Sequence, residues 1–423
     1  MNYGHKLNGF KEWGIAILCI FALHCRLYGQ TQTNLPPTTD PDFLKQLVQR
    51  VDQQDAEIKN LKNQIALKDG STPDATMPPA PTYPNLQFHG FADIDYQASS
   101  RAGINNASGV VFNPPANHTG NSFFIGEFDL FAESQLAEDI SALSETVIGA
   151  GAGDNEWGLD IERVELQWHP SDYFNVDVGR FHTQMGYYNT AYHHGTWFQT
   201  AVGRPSFLEY EDSGGLVPVH TVGISFHGAI PSGSLNLMYY LEAGNGMNYT
   251  TSGNPVQNVN DNNNYKAVNL AFIAKPDWFP GGQFGVGAYH DTVTPVGLAR
   301  TDEWIWNTHV AYHGSVWELM AEGFLLRHAP SGGDATYTPM FYVQAGHKFG
   351  KYTPYARFTY YNASRNDPIY TTILNQGGLN FGPSVGLRYD FSSYVALKAQ
   401  YDYLIQSGYK AANELTLQAA FTF

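Results

Sequence analysis

Residues 413–423 read NELTLQAAFTF. In an extended backbone Leu415, Leu417, Ala419, Phe421 and Phe423 share one face, and Glu414, Thr416, Gln418 and Thr422 share the other. This is the period-two pattern of a strand with one apolar side. The edge strand of a soluble β-sandwich carries the same pattern, so the neighbours of this strand decide what it belongs to.

Toward the amino terminus the alternation recurs in segments 86–98, 122–134, 141–151, 157–169, 173–181, 219–230, 234–244 and 265–275. It continues through 282–291, 302–313, 315–328, 337–349, 352–362, 378–391 and 394–406. With the last strand these make about sixteen, an even number as a closed antiparallel barrel with both ends on one side requires. The connections after even strands are short, for example Ala137-Glu138-Asp139, Pro231-Ser232-Gly233, Gly314 and Ser392-Ser393. Those after odd strands are mostly long, notably 99–121, 182–218, 245–264 and 363–377. A β-sandwich gives no reason for loop length to follow strand parity, whereas a membrane barrel has one rim of tight turns and one of loops.

The strand faces separate by charge. Val385, Leu387, Tyr389 and Phe391 oppose Ser384, Gly386, Arg388 and Asp390; Val395, Leu397, Ala399, Tyr401 and Tyr403 oppose Lys398, Gln400 and Asp402. Glu318 and Glu322 stand opposite Trp317, Leu319, Ala321 and Leu325. A charge on the lipid face near the midplane costs roughly 2–4 kcal/mol, so these charges are expected to line a wet interior. Trp168, Tyr173, Trp278, Phe279, Trp304 and Tyr312 lie near strand ends, where aromatic girdles meet headgroups.

Composition agrees. The 423 residues include 14% aromatics and 42 glycines, and the mean hydropathy is only −0.31, which favours strands and turns over apolar helices. No segment approaches the roughly 18 consecutive apolar residues of a spanning helix. A net charge of −16 argues against a nucleic-acid partner, because phosphate binding needs a basic surface.

The first 85 residues divide into four parts. Lys6 and Lys11 precede the apolar run Ile15 to Leu23, and Gly29 comes shortly after it, so 1–29 reads as a secretory signal peptide. Both cysteines, Cys19 and Cys25, fall inside it, and His24 stands where a lipoprotein signal needs a small residue. The remaining chain then has no disulfide and no cysteine-based metal site. After a linker at 30–41, Leu44, Val51, Ile58 and Ile65 recur every seven residues over 42–69, with Leu47 and Leu61 at two of the intervening d positions and polar Gln54 and Lys68 at the others. This predicts a coiled coil of about four heptads. The proline-rich stretch 70–85 is an extended spacer that holds the helix away from the strands, so its apolar stripe is expected to serve self-association.

Together these features resemble a trimeric Gram-negative outer-membrane porin with an amino-terminal coiled coil, as in the dicarboxylate-type and phosphate-selective porin families. The resemblance rests on the signal peptide, heptads, proline spacer, sixteen strands, long third outer loop and terminal Phe423. It implies an all-β transmembrane fold, a barrel over 86–423 embedded in outer-membrane lipid, and the coiled coil in the periplasm. It further implies a homotrimer, no cofactor, and passive passage of small hydrophilic solutes or ions. In such porins the long loop, here 182–218, folds inward as a constriction.

That loop carries Arg204, Glu209, Glu211 and Asp212. Lys348, Arg357, Arg388 and Lys398 have inward parity on the wall expected to face it, and Arg163, Glu318 and Glu322 complete the candidate wall residues. An acidic loop against a basic wall would set a transverse field. Two unit charges about 10 Å apart interact by about 0.4 kcal/mol in water but about 1.7 kcal/mol at an effective dielectric of 20. Screening over about 8 Å hides more distant charges, so residues at the constriction are expected to set selectivity. The scarcity of basic residues speaks against phosphate selectivity.

The loop also gathers His182, Tyr187, Tyr188, Tyr192, His193, His194 and Trp197, with His220 just beyond. Three uses stay open: packing of a folded-in loop, stacking on sugar rings, or metal ligation, though no spacing matches a known metal site. Two other functional classes also remain. An outer-membrane lipase or protease would place a nucleophile at the rim, but no G-x-S-x-G element is present, and Asp93 and Asp95 share one strand face as lumen residues do. In the other, the coiled coil would tether the outer membrane to the cell wall.

Overall fold

The computed structural model describes residues 83–100, 121–150, 157–192, 195–208, 216–249, 259–373 and 377–423. The signal peptide, linker and coiled-coil expectations over 1–82 lie outside these residues. Sixteen antiparallel strands form one closed barrel: β1 (Asn85–Ser99), β2 (Asn121–Gln135), β3 (Ile140–Ala150), β4 (Trp157–Trp168), β5 (Asn175–His182), β6 (His220–Ile230), β7 (Leu237–Gly244) and β8 (Ala267–Ala274). The second half comprises β9 (Gly282–Val293), β10 (Thr301–His313), β11 (Trp317–Pro330), β12 (Thr336–His347), β13 (Tyr352–Ala363), β14 (Gly378–Asp390), β15 (Val395–Gln406) and β16 (Ala412–Thr422). Each strand pairs with its sequence neighbours, and β1 pairs with β16. Fold class and strand number are those the alternation predicted.

Differences are local. β7 begins at Leu237, because Gly233–Leu235 form a single 3-10 turn that ends on Asn236 in the left-handed region. β12 ends at His347, so Lys348, expected on the wall, instead lies just past the strand at the short-turn rim and is exposed.

The closing strand does what its faces require. Leu415 and Leu417 are exposed on the outer face, while Glu414, Thr416, Gln418 and Ala420 are buried inside. The register runs from Phe91 opposite Thr422 to Ser99 opposite Glu414. Beyond it, Gly90 and Phe423 exchange backbone hydrogen bonds at 3.0 Å in both directions. Gly90 is needed there, since a Cβ would sit 2.7 Å from the Phe423 ring and 2.5 Å from the Asp129 carbonyl oxygen.

Around the barrel the outer surface is an apolar band, with Ile94, Ile125, Leu166, Val178, Leu270, Val286, Leu325, Val385 and Leu397 all exposed. Trp168, Tyr173, Trp278, Trp317, Tyr352 and Tyr394 are exposed along the short-turn rim, as a headgroup girdle would be. The inward faces are not uniformly polar, and here the expectation of a purely wet interior is corrected. Met320, Phe324 and Leu326 share the inner face of β11 with Glu318 and Glu322, and Ile305, Met340 and Tyr342 join them from β10 and β12. Their partners are Met185, Tyr188, Phe207 and Leu216, all from the loop between β5 and β6. The apolar part of the lumen is the seat of that loop.

Val385 lies mid-strand on the outer face, paired with Ala356 and Tyr401. Val385→Arg is expected to lower the stability of the bilayer-inserted barrel by about 2–4 kcal/mol, read from denaturant unfolding out of liposomes.

Candidate functional site: a loop folded into the barrel lumen

The backbone leaves β5 at His182 and returns to β6 at His220, a pair in direct register. Between them the chain crosses the lumen. A buried backbone needs a partner for every N–H and C=O, and here the barrel wall supplies them.

Carboxylates and amides of the wall take the loop's N–H groups. Glu242 accepts from Gln184 N at 3.1 Å to each oxygen, Asn307 accepts from Gly186 N at 3.2 Å, and Glu322 accepts from Tyr187 N at 2.6 Å and Tyr188 N at 2.8 Å. Glu322 also accepts from the Tyr342 hydroxyl at 2.7 Å. Gly186 has φ of +77°, and a Cβ there would collide with Glu322 Oε2, so only glycine lets the chain pass so close. Farther along, Glu318 accepts from the Thr200 hydroxyl at 2.7 Å, and Asp93 accepts from the Thr196 hydroxyl at 3.0 Å.

Cations of the wall take the loop's carbonyls. Arg388 donates to the carbonyls of Trp197 and Gln199, Lys398 to those of Thr196 and Ala201, and Arg357 to that of Gly203 at 2.8 Å. Arg357 also donates to the Tyr188 hydroxyl at 3.1 Å and to Gln344 at 2.7 Å, with its guanidinium 5.5 Å from the centre of the Tyr188 ring. Gln400 both accepts from Val202 N at 2.9 Å and donates to Val202 O at 3.0 Å. Arg357, Arg388 and Lys398 thus hold the loop's main chain.

The remaining candidates fall in different places. Arg204 is buried in the loop. Tyr192 ends the short helix α1 (Tyr188–Ala191); its ring lies 5.9 Å from that of Tyr187 and 5.2 Å from that of Tyr188. Burial pushes the Tyr187 phenol up to about 12 and holds those of Tyr188 and Tyr192 above the usual range, so all three stay protonated at neutral pH. Trp197 packs against Phe91, Phe131 and Leu143, and Arg388 lies 5.9 Å from its ring centre. Arg163 contacts the Glu145 carboxylate, lies 3.8 Å from Glu165 and stands over the Phe131 ring at 5.5 Å. Lys348 borders a cavity of about 210 Å³ at the short-turn mouth with Glu318, Arg388 and Asp390. Glu209, Glu211, Asp212, His193 and His194 lie outside the described residues. His182 and His220 come together, ring centres 4.9 Å apart, beside Glu145 and Glu162.

Sequence reasoning missed Asp93, Glu242, Asn307 and Gln400 as partners of the loop. Their inward parity was readable, but which wall position the loop meets depends on its three-dimensional path.

No family model matches the chain, and no curated protein matches it by sequence. Among solved structures it is similar to an anion-selective porin from Comamonas acidovorans, at 11% identity and TM-score 0.56, over 80% of this chain and 100% of the other. The outer-membrane channel DcaP of Acinetobacter baumannii matches at 11% identity and TM-score 0.54, over 80% and 97%. The trimer form of OmpT, an outer-membrane protein of Vibrio cholerae, matches at 12% identity and TM-score 0.53, over 81% and 100%. At such identities the likeness concerns the fold, which is the sixteen-stranded barrel of outer-membrane porins.

Glu322→Ala removes the acceptor of two loop amides and one buried phenol. It is expected to destabilise the barrel by about 1–3 kcal/mol and to speed cleavage within 183–219 by proteinase K while the barrel stays folded, both measurable on detergent-refolded protein.

Proposed function

We propose that this chain is an outer-membrane porin through which small hydrophilic solutes or ions diffuse passively. The observation that carries the reading is a closed barrel, apolar outside and charged over much of its inner face, narrowed by a loop tied to its wall. The porin and channel folds to which it is similar support the same reading. The passage proposed runs between the loop and the inner faces of β2 to β5. Arg163 keeps 22% side-chain exposure there, against 3% for Arg357 and Lys398 as whole residues. Asp129, Glu145 and Glu165 lie on the same wall, themselves buried, so they act on the passage through their field and not by contact, and with carboxylates in excess over Arg163 that field favours small cations over anions. The loop acids Glu209, Glu211 and Asp212 are assigned to the same filter.

In this reading residues 1–29 direct export, 30–41 and 70–85 are linkers, and 42–69 form a periplasmic coiled coil that joins three copies. The barrel begins at about residue 86 and sits in outer-membrane lipid, and no catalysis or cofactor is involved. The trimeric form of the Vibrio cholerae neighbour supports the assembly.

In planar bilayers the folded protein is expected to give stepwise conductance, and a KCl gradient is expected to give a reversal potential of cation-preferring sign. Neutralising Glu209, Glu211 and Asp212 together should move that potential toward zero. An unchanged ion preference would remove the loop acids from the filter, and absence of current would remove the channel. Deleting 42–69 is expected to lower the oligomer mass measured by light scattering in detergent; an unchanged mass would assign the heptads to a different partner.

A further inference from the structure

His169 comes directly after β4, Asp177 is the third residue of β5 and His227 belongs to β6. Register places Gln167 opposite Asp177 and Asn175 opposite His227, so the two histidines stand diagonally on either side of the carboxylate. Val178, the next residue, is exposed on the outer face, while Ser225, paired with Asp177, is buried inside. The group therefore faces the lumen near the short-turn mouth, away from the constriction loop.

Its donor atoms converge. Nε2 of His169 lies 2.7 Å from Oδ1 of Asp177, Nε2 of His227 lies 3.0 Å from Oδ2, and one donor atom from each residue falls within 4.8 Å of the other two. The rings are positioned by their surroundings. His227 stacks on Tyr240 with centroids 5.4 Å apart and planes at 12°, and the imidazoles meet edge to face at 5.3 Å. The backbone N–H of His169 donates to the Asp139 carbonyl at 2.8 Å, tying that residue to the turn between β2 and β3.

We infer that His169, Asp177 and His227 bind a divalent transition-metal ion of the zinc class. Zinc takes imidazole nitrogen and carboxylate oxygen at about 2.0–2.2 Å, so tetrahedral donors stand roughly 3.4 Å apart. The present nitrogen-to-oxygen contacts of 2.7 and 3.0 Å need to open by about 0.4–0.7 Å, and donor atoms now up to 4.8 Å apart need to close toward the same spacing. That is within side-chain reach, since His169 is 41% exposed and Asp177 and His227 are 14% and 17% exposed. The ion replaces the two hydrogens that now bridge imidazole and carboxylate, and each imidazole carries its hydrogen on Nδ1 instead. Three protein donors leave a fourth position open to water or to a passing carboxylate. Two imidazoles select against magnesium and calcium, which prefer all-oxygen shells.

The competing account is a pair of His–Asp hydrogen bonds with no ion. Zinc chloride titrated into the detergent-folded full chain, with calorimetric detection, separates the two. The wild type is expected to bind one more equivalent than H169A/H227A, and H169A alone to bind that equivalent at least tenfold more weakly. Substitution with cobalt should give the visible bands of a tetrahedral centre, lost in the double variant. Folding is checked by heat-modifiable gel migration, and the half-exposed H169A serves if the double variant fails that check. Equal zinc binding by wild type and variant overturns the site. Because binding is measured without current, its failure is distinct from failure of the channel reading.

Discussion

A polypeptide that crosses the inside of a barrel brings its backbone polar groups into a space where the wall must satisfy them. The loop between β5 and β6 is possible because carboxylates meet its amides and cations meet its carbonyls, each at the right height. An unmade hydrogen bond of this kind costs about 1–3 kcal/mol, comparable to a sizeable share of a protein's net stability. The inner faces of β10 to β15 are therefore built as a complement to one path of one segment. The apolar seat formed by Met320, Phe324, Met340 and Tyr342 fixes the same path by packing.

This changes the meaning of lumenal charge. Arg357, Arg388 and Lys398 would be selectivity residues if they projected into open water, but their donors are directed at carbonyls of the loop. The two arginines still contribute positive potential, while the geometry of all three serves position. Charges on the wall between β2 and β5 are arranged differently, Arg163 lying against Glu145 and Glu165 and keeping solvent access.

The barrel was legible because its rules are periodic. Alternation in segments such as 395–406 and 412–422, and short turns after every even strand, depend only on neighbouring residues. Strand limits shift by a few residues where local chemistry intervenes, as at Asn236 and at Lys348. Glu318 and Glu322 were readable as inward but not as acceptors for Thr200 and Tyr188, since that pairing depends on how the loop turns in space. His169, Asp177 and His227 escaped for a related reason. Their spacing has no motif, because the antiparallel register of three strands, and nothing local, brings them together. The loop histidines, which cluster in sequence and so invite a reading as ligands, belong to a different part of the chain.

The pairing of β1 with β16 bears on how the molecule comes to exist. Asp93 and Gln418 meet across that seam from positions 325 residues apart in the chain, whereas every other strand pairs with a sequence neighbour. Contacts of such separation carry the largest chain-ordering cost and form slowly. The strands between them can zip in succession, leaving β1 and β16 as two open edges until the end. Each of those edges is an unpaired ladder that another chain could extend. During biogenesis the first and last strands are thus the part of the protein most in need of a chaperoning surface, and Gly90 clasping Phe423 is the latch that ends the need.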